Sequence, residues 1–109
     1  MQTKTLWIKE EYLQHILTGR KTIEIRVGYS NINKLKAGDR LLLNDRFPYI
    51  IHQINTYPSF EQMLSIENPA AIAPNVPKDE LLEQIRAIYP PEKEALGVVA
   101  IHISPERKS

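Results

Sequence analysis

The sequence predicts an α+β fold: a small, mostly antiparallel barrel or curled sheet of about five strands, with about three helices packed outside it. Three observations predict this class. Short segments rich in Val, Ile and Leu end at turn residues, as strands do. Longer segments repeat apolar residues at helical spacing. The predicted strands are joined by both short turns and helical insertions, so the regular alternation that builds a parallel sheet is missing.

The predicted strands show alternating apolar residues or continuous apolar runs, and they cover residues 5–8, 22–27, 40–44, 49–57 and 97–103. The predicted helices share apolar residues three or four positions apart, and they cover residues 10–18, residues 78–88 and a segment that begins at Ser59. Ser59 is placed at the helix start because Gln62 completes a capping box. Single helical turns are predicted within residues 32–35 and 91–95. Residues 68–77 contain three prolines and are predicted to form an ordered loop.

A single domain is predicted over residues 1–109, with its core at about residues 5–103 and a polar C-terminal tail at 104–109. The sequence contains no cysteine, which excludes disulfide bonds and thiolate chemistry. It has no apolar run close to the roughly 20 residues of a membrane span, and no apolar signal-peptide core. We therefore expect a cytoplasmic protein that does not associate with a membrane.

Charge is distributed unevenly along the chain. Residues 1–46 hold nine Lys or Arg and five Asp or Glu, a net charge of +4, whereas residues 47–109 hold five and eight, a net charge of −3. A basic N-terminal half is the pattern expected where an anionic ligand or a nucleic acid binds.

The segment of residues 18–27 concentrates this charge. Gly19 is predicted to end the first helix in a left-handed conformation, and Arg20 and Lys21 follow at the turn. The next residues alternate, with the apolar side predicted to face the core and made of Ile23, Ile25 and Val27. The other side carries Thr22, Glu24 and Arg26. An ordinary solvated strand face with a surface ion pair is the alternative interpretation.

Residues 19–26, read as Gly-Arg-Lys-Thr-Ile-Glu-Ile-Arg, resemble the G-x-K-x-x-E-x-R signature of the ASCH domain family, which belongs to the PUA-like superfamily of small β-barrels. Further similarities occur in the expected order, at residues 6–12, 35–39, 57–61 and 88–101. The second of these, Leu-Lys-Ala-Gly-Asp, resembles the Gly-Asp turn of PUA-like barrels. The resemblance extends over about residues 6–103.

The resemblance implies a cleft between the barrel and the outer helices, lined by the signature residues. Members of the family have been regarded as RNA-binding modules, and one bacterial branch hydrolyses the amide of acetylated cytidine with a Lys, a Thr and a Glu. Lys21 stands at the position of that lysine, and Glu24 occupies the position of the threonine. The glutamate of the branch lies in the region around Glu67.

The replacement of the threonine of that branch by Glu24 affects which catalytic mechanisms are open to this protein. A carboxylate at position 24 cannot be activated as a hydroxyl nucleophile. A close Glu24 is also expected to raise the pKa of Lys21, which works against a lysine base. The candidate catalytic residues are therefore Lys21 and Glu24, with Thr22 and Glu67 as further candidates.

The function favoured by the sequence is binding of RNA or of a nucleotide-like or nucleoside-like ligand in the signature cleft. Arg20, Lys21 and Arg26 would contact a phosphate or a base, and Glu24 would fix their geometry or accept from a base amino group. Trp7 or Tyr29 would supply a stacking face. Core packing is the favoured interpretation for Trp7, which lies between two apolar residues, whereas Tyr29 is predicted to be exposed in a turn.

Two alternative functions remain open at this stage. One is an amidohydrolase acting on acetylated cytidine or a related modified nucleoside, and the other is a protein-interaction domain in which Glu24 and Arg26 pair with each other. The sequence names no protein partner. It shows no His, Asp or Glu cluster at metal-ligand spacing, and we expect neither a metal nor a cofactor.

Overall fold

The computed structural model describes residues 2–107 and forms one curled five-stranded sheet over that range. Its strands are β1 (Thr3–Leu6), β2 (Ile23–Val27), β3 (Arg40–Leu43), β4 (Phe47–Tyr57) and β5 (Val98–Pro105). Their order across the sheet is β1-β3-β4-β5-β2. The β1–β3 pair is parallel and the other three pairs are antiparallel. The predicted α+β class with a mostly antiparallel curled sheet is confirmed.

Six helices accompany the sheet in the described range: α1 (Glu10–Leu17), α2 (Ser30–Asn33), α3 (Phe60–Ile66), α4 (Pro69–Ile72), α5 (Lys78–Ile88) and α6 (Pro91–Glu94). The three longer ones, α1, α3 and α5, correspond to the three predicted helices. The other three are single turns. The hydroxyl oxygen of Ser59 accepts a hydrogen bond from the backbone N–H of Gln62 at 3.1 Å, which is one of the two hydrogen bonds of the predicted capping box.

Most element boundaries shift by one or two residues from prediction, and three differences have an identifiable cause or consequence. β1 ends at Leu6, because the side chain of Asn44 pairs with both backbone groups of Ile8 and takes that residue out of the strand ladder. The predicted loop at 68–77 contains α4, whose N-cap is Asn68. β5 continues through Pro105, and Glu106 pairs with Arg40 at 2.8 Å, so the predicted polar tail is partly ordered. Positions 1, 108 and 109 lie outside the described residues.

Apolar side chains form two core clusters, one on each side of the sheet. β5 contributes alternate residues to both, because successive side chains of a strand point to opposite faces. The first cluster includes Leu13, Ile16, Leu41, Leu43, Ile51, Val99 and Ile101. The second includes Ile23, Val27, Phe60, Met63, Leu64, Leu81, Val98 and Ala100. The edge strand β2 is thereby packed against α3 and α5 by one of its faces.

The turn before β3 is closed by the buried carboxylate of Asp39. Gly38 adopts a φ of +94°, which favours glycine. Asp39 accepts hydrogen bonds from the backbone N–H of Lys36 at 3.0 Å, and from the backbone N–H and the side-chain amide of Gln2, each at 3.1 Å. The hydrogen bond from the Gln2 backbone is the main cause that lowers the pKa of Asp39. The same contacts hold the start of β1 against the turn.

The depressed pKa of Asp39 predicts a pH-dependent contribution to stability. Because the folded-state pKa lies below the unfolded value of 3.8, this contribution is present above that pH and is lost as the pH falls through the folded value. We expect Asp39→Asn to lower the free energy of unfolding at neutral pH, and the gap from wild type to shrink under acid. Denaturant titrations over a pH series measure this. Glu83→Gln, on the exposed face of α5, is the matched control, and a gap of constant size down to the lowest pH would contradict the assignment.

Candidate functional site

A cleft of about 270 Å³ opens at the free edge of β2. One wall is formed by the segment that joins β1 to α1 and by the first turns of α1. The opposite wall is formed by the end of α4 and by α5. The lining residues are Trp7, Ile8, Lys9, Tyr12, Lys21, Glu24, Ile25, Arg26, Ile72, Ala73, Leu81, Ile85, Ile88 and Tyr89. Its volume is near the lower end of the roughly 300–1,000 Å³ of small-molecule pockets, and its walls are mainly apolar.

Lys21 is buried at the base of this cleft, with 4% of its surface exposed. Gly19 closes α1 with a φ of +80°, and the backbone N–H groups of Arg20 and Lys21 both donate to the carbonyl of His15 at 2.9 Å. This tight turn directs the Lys21 side chain inward. Its ammonium donates to the carbonyls of Ile23 at 2.6 Å and Ile72 at 2.8 Å, and it lies 3.1 Å from Glu24 Oε1. These three acceptors match the three N–H donors of a lysine ammonium.

Burial lowers the pKa of Lys21, because desolvation disfavours the charged form. The charge of Glu24 and its hydrogen bond act in the opposite direction, and the charge of Arg26 lowers the pKa further. The net direction is downward. Glu24 does act to raise the pKa of Lys21, as expected. The expected net increase is wrong, because desolvation lowers the pKa by more than Glu24 raises it.

Glu24 links Lys21 to Arg26. Its Oε2 accepts from Arg26 Nε at 2.9 Å and from Nη2 at 2.7 Å, while Oε1 faces Lys21. Arg26 Nη2 also donates to the backbone carbonyl of Trp7 at 2.8 Å. The result is a continuous chain of polar contacts that runs from the base of the cleft to its rim. The interpretation of Glu24 and Arg26 as an ordinary solvated pair is not supported, because the Glu24 side chain is 12% exposed and bridges two cations.

Aromatic side chains stand around this polar chain. Trp7 is 64% exposed, so the favoured interpretation of core packing is wrong. It leaves the sheet because Asn44 takes over the hydrogen bonds of Ile8, the next residue. Tyr12 and Tyr89 line the two walls, and burial is the main cause that raises the pKa of each phenol. Both hydroxyls are therefore neutral at physiological pH and can donate a hydrogen bond.

Four predicted site residues lie outside the lining of the cleft. Arg20 is exposed, and its Nε donates to the Thr18 hydroxyl at 3.2 Å. Thr22 is exposed. Tyr29 is exposed as predicted, and its ring lies 5.4 Å from the Lys93 ammonium.

Glu67, the fourth, belongs to a separate buried cluster. Its carboxylate accepts from the Tyr57 hydroxyl at 2.5 Å and from the Asn55 amide at 2.8 Å, and it lies 2.9 Å from His102 Nε2. Burial acts to raise the pKa of Glu67, but the hydrogen bonds from Tyr57 and Asn55 and the proximity of His102 bring it below its usual value. Burial, together with Glu67, raises the pKa of Tyr57 to about 12. These contacts fix Glu67 to β4 and β5, outside the lining of the cleft.

The sequence interpretation missed the α5 wall of the cleft and Lys9 on its rim. The helical spacing of α5 predicts an inward face made of Leu81, Ile85 and Ile88. Leu81 and Ile85 are buried, but Ile88 is 59% exposed where α5 ends. Tyr89 packs on the buried Phe60 with ring centroids 5.8 Å apart, which places its ring beside the cleft. The available signal was that helical spacing continues to Ile88, the last residue of α5, just before Tyr89 and two prolines.

Within residues 2–107, no group of three or more His, Asp or Glu side chains is arranged to hold a metal ion. The helices of that range are all too short or too polar to cross a membrane.

Comparison with known proteins gives consistent results. The family model described as "ASCH domain" matches residues 6–107. The crystal structure of hypothetical protein PH0355 is 31% identical, with a TM-score of 0.89, covering 97% of this chain and all of that one. The solution structure of Protein PF0455 from Pyrococcus furiosus is also 31% identical, with a TM-score of 0.80 and coverage of 99% and 100%.

The crystal structure of an ASCH domain from Lactobacillus crispatus JV V101 has a TM-score of 0.66 at 14% identity, covers 95% of this chain and 79% of that one, and shows similarity of fold alone. The comparison with curated protein sequences found no match. The family model spans almost the whole chain, and the signature residues Lys21, Glu24 and Arg26 lie together in one cleft. The chain belongs to the ASCH domain family.

Proposed function

We propose that the cleft binds one nucleobase, carried by a free nucleoside or nucleotide or by an unpaired residue of RNA. The observation that supports this most strongly is the Lys21–Glu24–Arg26 chain of contacts, which holds a carboxylate and a guanidinium side by side in a recess of about 270 Å³. A recess of this size accepts a single ring system with its sugar. It has no room for a duplex.

The hydrogen-bonding capacity left in this chain favours a base edge over a phosphate. The three ammonium donors of Lys21 already have acceptors. A carboxylate has about four acceptor positions, and Glu24 uses three of them. In the described part of the chain, Arg26 Nη1 has no hydrogen-bond partner. The free acceptor position on Glu24 and the two N–H donors of Arg26 Nη1 together fit a base that carries an amino group, since carboxylates accept from the amino group of cytosine.

The aromatic walls supply the second component of binding. Trp7 on the rim and the rings of Tyr12 and Tyr89 offer faces on which a base can stack. Stacking of a base on an aromatic side chain contributes about 1–3 kcal/mol. Unpaired bases are also the parts of RNA that proteins can take out of a stack and read on their edges. The RNA and nucleoside forms of the proposal therefore share the same site chemistry.

Trp7→Ala is expected to weaken binding of cytidine by about tenfold or more, because it removes the stacking face on the rim. Isothermal titration calorimetry with cytidine and with a short single-stranded RNA measures the loss and distinguishes a free nucleoside from RNA. Tyr29→Ala removes an exposed aromatic residue outside the cleft and is the matched control. Equal affinities for the two variants would contradict a stacking role for Trp7.

Arg26→Ala is expected to reduce cytidine affinity by about tenfold, because it removes a guanidinium that donates to the base edge and holds Glu24 in place. Arg20→Ala, an exposed arginine outside the cleft, should leave the affinity unchanged. Cytidine binding should also depend little on salt, whereas single-stranded RNA, which adds phosphate contacts, should lose affinity steeply. Wild-type protein that binds neither cytidine nor RNA at low salt would refute the proposal.

Hydrolysis of an acylated nucleoside is the second candidate function, and the lowered pKa of Lys21 favours it. Burial increases the fraction of neutral amine, which could accept a proton from an attacking water. The position of Glu67 outside the cleft means that the nearest carboxylate for such a reaction is Glu24.

If this second function holds, incubation with acetylated cytidine releases cytidine, detectable by chromatography. Lys21→Arg should then abolish turnover, because arginine keeps the positive charge but has no neutral form near pH 7. Arg20→Ala should retain full activity. Failure of the wild-type protein to hydrolyse several acylated nucleosides at high enzyme concentration would eliminate this candidate.

A further inference from the structure

The edge strand β2 exposes part of its backbone to the cleft. In an antiparallel pair, residues alternate between positions that bond to the neighbouring strand and positions that do not. At one end of β2 the backbone N–H of Ile103 donates to the carbonyl of Thr22 at 3.0 Å, and at the other end Gly28 donates to Gly97 at 2.9 Å. The even-numbered residues between these ends, Glu24 and Arg26, therefore bond to β5.

The odd-numbered residues turn their backbone N–H and C=O groups towards the open edge. Two of the three have carbonyls that already accept a hydrogen bond there: the Lys21 ammonium donates to the carbonyl of Ile23, and the backbone N–H of Tyr29 donates to the carbonyl of Val27 at 2.8 Å. The third is Ile25. Within residues 2–107, no turn, cap or side-chain hydrogen bond reaches its backbone.

Ile25 is also a lining residue of the cleft. Its side chain packs against the second core cluster, whereas Glu24 and Arg26 on either side of it lie on the other face of β2, where Arg26 contacts the backbone carbonyl of Trp7. A backbone donor and a backbone acceptor thus face the cavity at the middle of the edge strand, between the two walls of the cleft. Backbone polar groups in a recess require a hydrogen-bond partner, and a ligand in the cleft can supply one.

We propose that the backbone N–H and C=O of Ile25 form a paired hydrogen-bonding site for the ligand, so that the edge of β2 reads a planar ring carrying a donor and an acceptor on one edge. This inference rests on the proposed function and specifies how the ligand is selected. A ring that lacks either group leaves one backbone atom of Ile25 unpaired in the occupied cleft, which disfavours its binding.

The same edge does not suit an added peptide strand. Strand addition requires a row of alternate residues with free N–H and C=O groups. Here the carbonyls on both sides of Ile25, those of Ile23 and Val27, are already bonded within the chain. In the part of the chain that the structure describes, Ile25 is the one outward-facing residue of β2 with both its N–H and its C=O free, and such a pair matches the edge of a single ring.

Hydrogen exchange followed by NMR tests the geometry without a ligand. In the free protein the Ile25 amide should exchange much faster than the amides of Glu24 and Arg26, which bond to β5. Addition of cytidine should slow the exchange of Ile25 selectively. A strongly protected Ile25 amide in the free protein would overturn the inference, whatever the protein binds.

Amide-to-ester substitution tests the contact itself. Replacing Ile25 by its α-hydroxy analogue removes the N–H and keeps the side chain, and we expect it to weaken cytidine binding by about tenfold. The same replacement at Val27, which lies on the same strand but outside the lining of the cleft, is the matched control and should change affinity by less than about twofold.

Equal losses in the two esters, with Arg26→Ala still impaired, would overturn the role of Ile25 and leave the proposed function standing. Absence of binding of both cytidine and the short single-stranded RNA to the wild-type protein would overturn both. If an ester variant fails to fold, the exchange of the Ile25 amide with and without cytidine decides the question.

Discussion

The ammonium of Lys21 is the group on which the arrangement of the cleft depends. A cation that is 4% exposed must find both hydrogen-bond acceptors and an opposite charge inside the protein, because removal from water disfavours its charged form strongly. Its acceptors are the carbonyls of Ile23 in β2 and Ile72 in α4, and its counter-charge is Glu24. One side chain thereby joins the edge strand to the short helix whose end forms part of one wall of the cleft.

The contacts of Lys21 also determine the positions of the side chains between it and the rim of the cleft. Glu24 is held by two cations, Arg26 is held by Glu24, and the backbone at Trp7 is held by Arg26. Each side chain is fixed by the previous one, so these side chains lose their conformational entropy when the protein folds. Little further entropy is then lost when a ligand binds. The remaining hydrogen-bonding groups, on Glu24, Arg26 and the backbone of Ile25, are then presented at fixed positions. This arrangement suits recognition of a small rigid ring.

Alternation along residues 22–27, with the cations at the preceding turn, was sufficient to predict that Glu24 and Arg26 share a face with Lys21 nearby. The sequence could not indicate how deeply Lys21 is buried, and therefore could not decide whether desolvation or Glu24 controls its pKa. Trp7 was misjudged because its exposure depends on Asn44, which lies 36 positions from Ile8 in the sequence. The local pattern of two apolar neighbours carried no information about that contact.

Glu67 and α4 show the same difference between features that depend on residues distant in the sequence and features that depend on a local sequence signal. The side chains that bind Glu67 come from β4 and β5, which are far apart in the sequence. The position of Glu67 outside the cleft was therefore not predictable. For α4 the signal was local and available: Asn68 as N-cap followed by a proline at the first helical position is a common start of a helix. The three prolines were interpreted as breakers, although one of them begins the helix.

Lys21 is a buried cation, and its desolvation outweighs its pairing with Glu24 in setting its pKa. The most direct measurement is an NMR titration of the side-chain nitrogen of Lys21 in protein labelled with ¹⁵N-lysine. We expect an ammonium signal with slow proton exchange at neutral pH, and a pKa below the ordinary lysine value of 10.5. A Lys21 signal that exchanges rapidly and titrates together with the exposed lysines would contradict it.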